Sequence, residues 1–210
     1  MKKTIIDPFF YSDSVHLIGA VKDGEAEALI LHWLSASDGE TTFLGHPSRP
    51  FKALYVAPND TQESLDRKLK SVGIDAARIN AVTIDKKNTL AALERAIAKD
   101  VEVVVIADVG ALINHKLQSH PRVLKLMPGL RALAAKRNLT IIGLTQATKS
   151  YVGRERIAGI GLWSSLAGTV VIQDPGSTPD NVKATIIPLN AKPKVIEVSL
   201  PPSVAEVDPV

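Results

Sequence analysis

The chain contains no cysteine, which excludes both disulfides and thiolate metal sites. Nowhere do roughly eighteen apolar residues run together, so no segment reads as a membrane-spanning helix. The opening Met1-Lys-Lys-Thr-Ile-Ile6 loses its apolar run at Asp7 and Pro8 and does not read as a signal peptide. A cytoplasmic location is therefore expected, with no membrane partner. Charge of one sign is also in short supply. The formal net charge is only +3, and a basic pI of about 9.1 permits nucleic-acid binding without indicating it. His16, His32, His46, His115 and His120 show no metal-ligand spacing, and His32 reads as a surface residue of a helix. No Gly-x-Ser-x-Gly nucleophile elbow is present.

What remains is an ordinary globular composition of 45% hydrophobic and 22% charged residues over 210 positions. That length suits one α/β domain over residues 1–200, with the Pro-rich end at 201–210 expected as a disordered tail. Buried-strand patterns at Val15–Ala20, Lys52–Ala57, Ala81–Ile84, Val101–Asp108 and Leu139–Thr145 alternate with helical stripes. The first stripe is Ala26, Leu29, Ile30, Trp33 and Leu34, ending before Gly39. Asp60 with Glu63 reads as a capping box for the second helix, and Asn88 as the cap of the third. A fourth helix is expected from about Pro121 to Lys136, with a kink or break at Pro128. Thr169–Ile172, Lys183–Ile187 and Val195–Leu200 lack intervening helices and should pair antiparallel at the sheet edge. The expected architecture is thus a mainly parallel sheet with helices on both faces, whose ligands would sit beyond the strands' carboxyl ends.

At the first such end stands Gly19-Ala-Val-Lys22-Asp-Gly24-Glu25-Ala26. Its frame matches the phosphate-loop pattern G-x-x-x-x-G-K-[ST], with strand before it and helix after. Both glycines are in place, but Glu25 stands where the lysine should reach the phosphates and Ala26 where a hydroxyl should hold magnesium. A carboxylate about 4 Å from a phosphate oxygen costs roughly 4 kcal/mol per unit charge at an effective dielectric near 20. Lys22 swinging inward is the route by which such a loop would recover a nucleotide. Two glycines at this spacing also make an ordinary turn between strand and helix.

Several later elements match one pattern in order. They are Ala53-Leu-Tyr-Val-Ala-Pro-Asn59-Asp60, then Leu65-Asp-Arg-Lys-Leu69, the strand Val103–Asp108, Leu144-Thr-Gln146 and the basic stretch Lys149–Gly159. Leu162-Trp-Ser-Ser-Leu166, Gly168–Gln173 and Ile186–Lys192 follow. Over residues 15–200 the chain resembles the RepA-like branch of the RecA-type P-loop ATPases, relatives of replicative helicases. The resemblance rests on order and spacing. It implies a RecA-like fold, with Asn59 where the family has a water-activating glutamate, Asp108 as the Walker B carboxylate and Gln146 as the polar sensor. Asp108 could orient a magnesium ion through water, or could simply cap a local turn.

In that family the loop after the sensor strand lines a ring and touches DNA. Lys149, Arg154 and Arg156 are accordingly the expected DNA contacts, with Tyr151 as a stacking partner; a solvated surface loop is the alternative. Glu25, Ala26 and Asn59 together remove the groups hydrolysis needs. The chain is therefore expected to be a degenerate phosphate-loop protein that works by binding or assembly in DNA replication or recombination. Its expected partners are DNA, another protein or further copies of itself. Two alternatives stand beside it: an active ATPase rescued by Lys22 with ATP and magnesium, and a protein-interaction module without DNA.

Overall fold

A run of β-branched residues, Val103-Val-Val-Ile106, is fully buried and forms the sort of strand that only a doubly covered sheet can hold. It lies near the middle of a computed structural model that describes residues 4–6, 9–21, 24–71, 74, 79–84, 89–113, 120–149, 153, 157, 167–178 and 181–199. In chain order the elements are β1 (Thr4–Ile6), β2 (Phe10–Tyr11), β3 (Ser14–Ala20), α1 (Glu25–Ser35), β4 (Thr41–Phe43), β5 (His46–Ser48) and β6 (Ala53–Val56). Then come α2 (Gln62–Ser71), β7 (Asn80–Val82), α3 (Thr89–Ala96), β8 (Val103–Ile106), a 3-10 turn (Gly110–Ile113) and α4 (His120–Arg137). The last four are β9 (Thr140–Gln146), β10 (Thr169–Pro175), β11 (Asn181–Pro188) and β12 (Lys194–Ser199).

The large sheet runs β12-β11-β10-β3-β9-β8-β6-β7. Every neighbouring pair from β10 to β7 is parallel, and β11 and β12 extend the sheet antiparallel. Alternation along the strands divides the core into two layers. Ile18 and Ala20 of β3, with Val103 and Val105 of β8, pack with Leu29, Ile30 and Leu34 of α1 and Leu65 and Leu69 of α2. Val15, Leu17, Val104 and Ile106 face the other way, toward Leu93 of α3 and Met127, Leu130 and Ala134 of α4. Each of these valine, leucine, isoleucine and methionine side chains contributes about 1.5–3 kcal/mol on burial.

A second sheet, β2-β1-β5-β4, is not signalled in the sequence pattern. Its strands are two or three residues long, too short for a visible alternation, and Pro47 lies within one of them. Leu44 (φ 49°) and Gly45 (φ 76°) turn the β4–β5 hairpin through left-handed backbone, which glycine adopts without strain. All four phenylalanines, Phe9, Phe10, Phe43 and Phe51, gather here around Trp33 of α1. Ring centroids lie 5.3 Å apart for Trp33–Phe43 and 4.6 Å for Trp33–Phe51. His16 is fully buried beside Phe10 and Tyr11, a core position rather than a chemical one.

Three local expectations need correction. Of the kink or break expected at Pro128, the break does not occur: α4 runs continuously through it. Pro128 is exposed, while Leu126, Met127, Leu130, Leu133 and Ala134 bury the opposite stripe and hold the turns on either side of it. The α2 helix is capped by Thr61, whose Oγ1 accepts the Ser64 backbone N–H at 3.2 Å, rather than by Asp60. The polar, basic stretch Gln146–Gly161 reads in the sequence as a loop, but Gln146 ends β9, and buried Ala147 forms an antiparallel bridge with buried Ile157. Asn88, the expected cap of α3, and the 201–210 tail lie outside the described residues. Among the described residues, no helix is long and apolar enough to cross a membrane.

Candidate functional site

Strand order singles out one crevice. From β3 the chain leaves through α1 toward β6, whereas from adjacent β9 it leaves toward β10 on the other side of β3. Ligand crevices of open parallel sheets form at such a reversal, beyond the carboxyl ends. Here that row pairs Ala20 with Gln146 on one side and with Gln173 on the other.

Gly24 caps α1 in left-handed backbone (φ 79°), a conformation that costs a side-chain-bearing residue about 1–2 kcal/mol. Its carbonyl accepts the Ala28 N–H at 2.9 Å and so starts the helix. The next residues are Glu25, half-buried, and Ala26, buried, so the first turn presents a carboxylate and a methyl group. Glu25 and Glu27 both lie in that first turn, where helix amides favour negative charge. Gly19 lies within β3, one residue before its end, and Gly24 caps α1; Lys22 lies outside the described residues.

Glu27 is committed elsewhere. The buried Tyr55 hydroxyl donates to its Oε1, and Lys68 Nζ reaches the same oxygen at 3.0 Å. Lys68 also meets Asp60 Oδ2 at 3.0 Å, and Ser64 Oγ donates to Asp60 Oδ1 at 3.0 Å. The network ties α1 to β6 and α2 beside the crevice. Burial first, then the Glu27 and Asp60 carboxylates, push the Tyr55 phenol far above its usual range. Burial alone would lower Lys68, but the same two carboxylates outweigh it and raise the amine. Sequence reasoning missed this group, because Glu27 and Lys68 are far apart along the chain and no local spacing marks them.

Asn59 follows β6 and donates from Nδ2 to Asp108 Oδ2 at 3.1 Å. The other Asp108 oxygen accepts the Ala111 N–H at 3.2 Å and caps the 3-10 turn. The structure therefore brings Asn59 and Asp108 together, with Asp108 serving as a cap. Gln146 is exposed at the end of β9, and Lys149 is exposed three residues later. Tyr151, Arg154 and Arg156 lie outside the described residues. Gln173 is 1% exposed and, among the described residues, neither side-chain amide atom is hydrogen-bonded.

Among the described residues, the crevice lacks groups that the phosphate-loop pattern supplies to a magnesium nucleotide: position 25 is a glutamate rather than a lysine, position 26 has no hydroxyl, and Asn59 is not a base at neutral pH.

No protein-family model matches the sequence, and no characterised protein matches it at the sequence level. Solved structures do share its shape. The RadB recombinase superposes with a TM-score of 0.63 at 13% identity, over 90% of this chain and 88% of that one. A KaiC-like protein of the hyperthermophilic archaeon Pyrococcus horikoshii superposes with a TM-score of 0.66 at 15% identity, over 92% of this chain and 87% of that one. Likeness at this level of identity concerns the fold: the chain has the RecA-type α/β fold, with a mainly parallel central sheet and antiparallel edge strands.

Proposed function

We propose that this protein is a catalytically degenerate RecA-fold component that acts by binding, with DNA engaged through the basic loop after β9. The observation that carries this reading is the first turn of α1, where Glu25 and Ala26 replace the two groups that would hold a nucleotide and its metal. Asn59 supports it, since an amide cannot take a proton from an attacking water where the family has a glutamate. Lys149, Arg154 and Arg156, interleaved with Tyr151, supply the charge and the ring that a single strand of DNA recognises. One structural neighbour is named a recombinase, and recombination or replication is the context we assign. The RepA-like relationship and assembly with further copies belong to the same proposal.

The test is an anisotropy titration of a labelled single-stranded oligonucleotide, with and without magnesium ATP. Binding whose affinity is indifferent to nucleotide is the expected result. Binding that requires nucleotide, or nucleotide turnover by the protein alone, would count against the proposal.

A further inference from the structure

The large sheet has a second end, away from the phosphate-loop frame, and a polar cleft opens there. Ser14 begins β3, Gly168 immediately precedes β10 and Pro188 closes antiparallel β11, so all three stand at the amino-terminal edge of the parallel strands. The seven residues of β3, rising about 3.3 Å each, put Ser14 about 20 Å from Ala20. The cleft measures about 330 Å³ and lies between α4 and the turn from β11 to β12.

Backbone hydrogen bonds fix its base. Gly168 donates to the Val15 carbonyl at 2.8 Å and accepts the Leu189 N–H at 2.8 Å. The Tyr11 and Ser14 hydroxyls each lie 2.5 Å from where a Cβ on Gly168 would stand, so the two oxygens converge over its bare backbone. Arg131 of α4, Asp13 and Asn190 also line the cleft, together with Leu189, a large apolar side chain left 49% exposed. Asp13 takes left-handed backbone (φ 60°), which aspartate tolerates because its carboxylate can hydrogen-bond locally. Among the described residues, however, that carboxylate makes no hydrogen bond and no ion pair, and neither does the Arg131 guanidinium. Opposite charges thus share one cleft without meeting. A lone anion there would face Asp13, and a lone cation would face Arg131. A dipolar ligand satisfies both.

We propose that this cleft binds a free α-amino acid with an apolar side chain. Its carboxylate takes the planar fork of Arg131, its ammonium pairs with Asp13, and its side chain covers Leu189. The Ser14 hydroxyl and the Asn190 amide add hydrogen bonds to the two charged ends. The volume is at the low end of the range for small-molecule pockets, as a ligand of this size requires. The site stands apart from the crevice and does not depend on the DNA reading.

The experiment uses the full chain with L-leucine, L-leucinamide, N-acetyl-L-leucine and glycine as ligands. Saturation-transfer NMR titrations give the affinity of each for the wild type, Arg131→Gln and Asp13→Asn. Both side chains are exposed and asparagine also accepts left-handed backbone, so both variants keep the fold. L-leucine should bind with a Kd of about 0.1–1 mM. Leucinamide lacks the carboxylate and N-acetyl-leucine the ammonium, and each should bind the wild type about tenfold more weakly. R131Q should weaken L-leucine about tenfold and leave leucinamide nearly unchanged. D13N should likewise weaken L-leucine and spare N-acetyl-leucine. A merely structural defect would weaken all of these ligands together. Glycine has no side chain to cover Leu189 and should bind less tightly than L-leucine.

No saturable transfer from L-leucine up to about 10 mM overturns the proposal, as does leucine binding that neither variant weakens. Glycine binding as tightly as L-leucine overturns the assignment of an apolar side chain.

Discussion

Replacing Lys68 by methionine removes one charge from the network beside the crevice and keeps most of the side chain's apolar stem. Lys68 Nζ lies 3.0 Å from both Glu27 Oε1 and Asp60 Oδ2. A unit pair at that distance attracts by roughly 5 kcal/mol at an effective dielectric near 20, before desolvation is counted. The side chains of Lys68, Glu27 and Asp60 retain 33%, 23% and 17% of their exposure, so screening and desolvation offset much of this. Exposed pairs contribute about 0–1 kcal/mol, and breaking fully buried ones costs about 3–5 kcal/mol. The intermediate setting gives a loss of about 2 kcal/mol for K68M, which lowers the melting temperature by about 4–8 °C at this chain length. Circular dichroism with urea and heat measures it. Adding Glu27→Gln to K68M should cost less than Glu27→Gln costs in the wild type, because the lost cation no longer needs its partner.

The pH dependence has a definite sign. A lysine raised by folding contributes its stability below 10.5, its unfolded value, and loses it as pH rises through the folded value. The gap between wild type and K68M should therefore hold at neutral pH and close in strong alkali. A K68M protein within about 0.5 kcal/mol of the wild type would refute the network as a unit holding α1, β6 and α2.

The double change E25K/A26T restores the residue types of the phosphate-loop pattern, removing a repulsion of about 4 kcal/mol per unit charge. It should raise affinity for magnesium ATP at least about a hundredfold, read with a fluorescent nucleotide. Replacing Lys149, Arg154 and Arg156 together by alanine should flatten the salt dependence of single-strand binding, lowering the log–log slope by about 2. An unchanged slope would move the DNA contact elsewhere or favour a protein partner. Gln173→Met replaces a buried amide that makes no side-chain hydrogen bond among the described residues, and should be neutral or stabilising by up to about 2 kcal/mol in thermal denaturation. A clear loss of stability would mean that the amide has a partner in solution.

Much of the scaffold was legible because its signals are local. The Val103–Ile106 strand is visible as a β-branched run, and the α1 stripe as apolar residues at helical spacing. The carboxyl-end positions Gly19, Asn59, Asp108 and Gln146 follow from those elements, and the structure gathers Asn59 with Asp108 as the order of strands requires. The β2-β1-β5-β4 sheet was not legible, since pairs such as Ile6 with Ser48 depend on contacts between distant segments rather than on a pattern within either one. Pro128 misled because propensity was overruled by the buried stripe of α4 around it. Lys68 escaped notice for a related reason. A lysine on a polar helix face acquires meaning only when Glu27 comes to meet it.

On the proposed reading, the glycine frame after β3 no longer holds a nucleotide, and titration calorimetry of the full chain with magnesium ATP decides it. No heat of binding is expected at millimolar nucleotide, corresponding to a free energy weaker than about −4 kcal/mol. Saturable binding at micromolar nucleotide would contradict it, and the Glu25 first turn would then have to be read as part of a working nucleotide site.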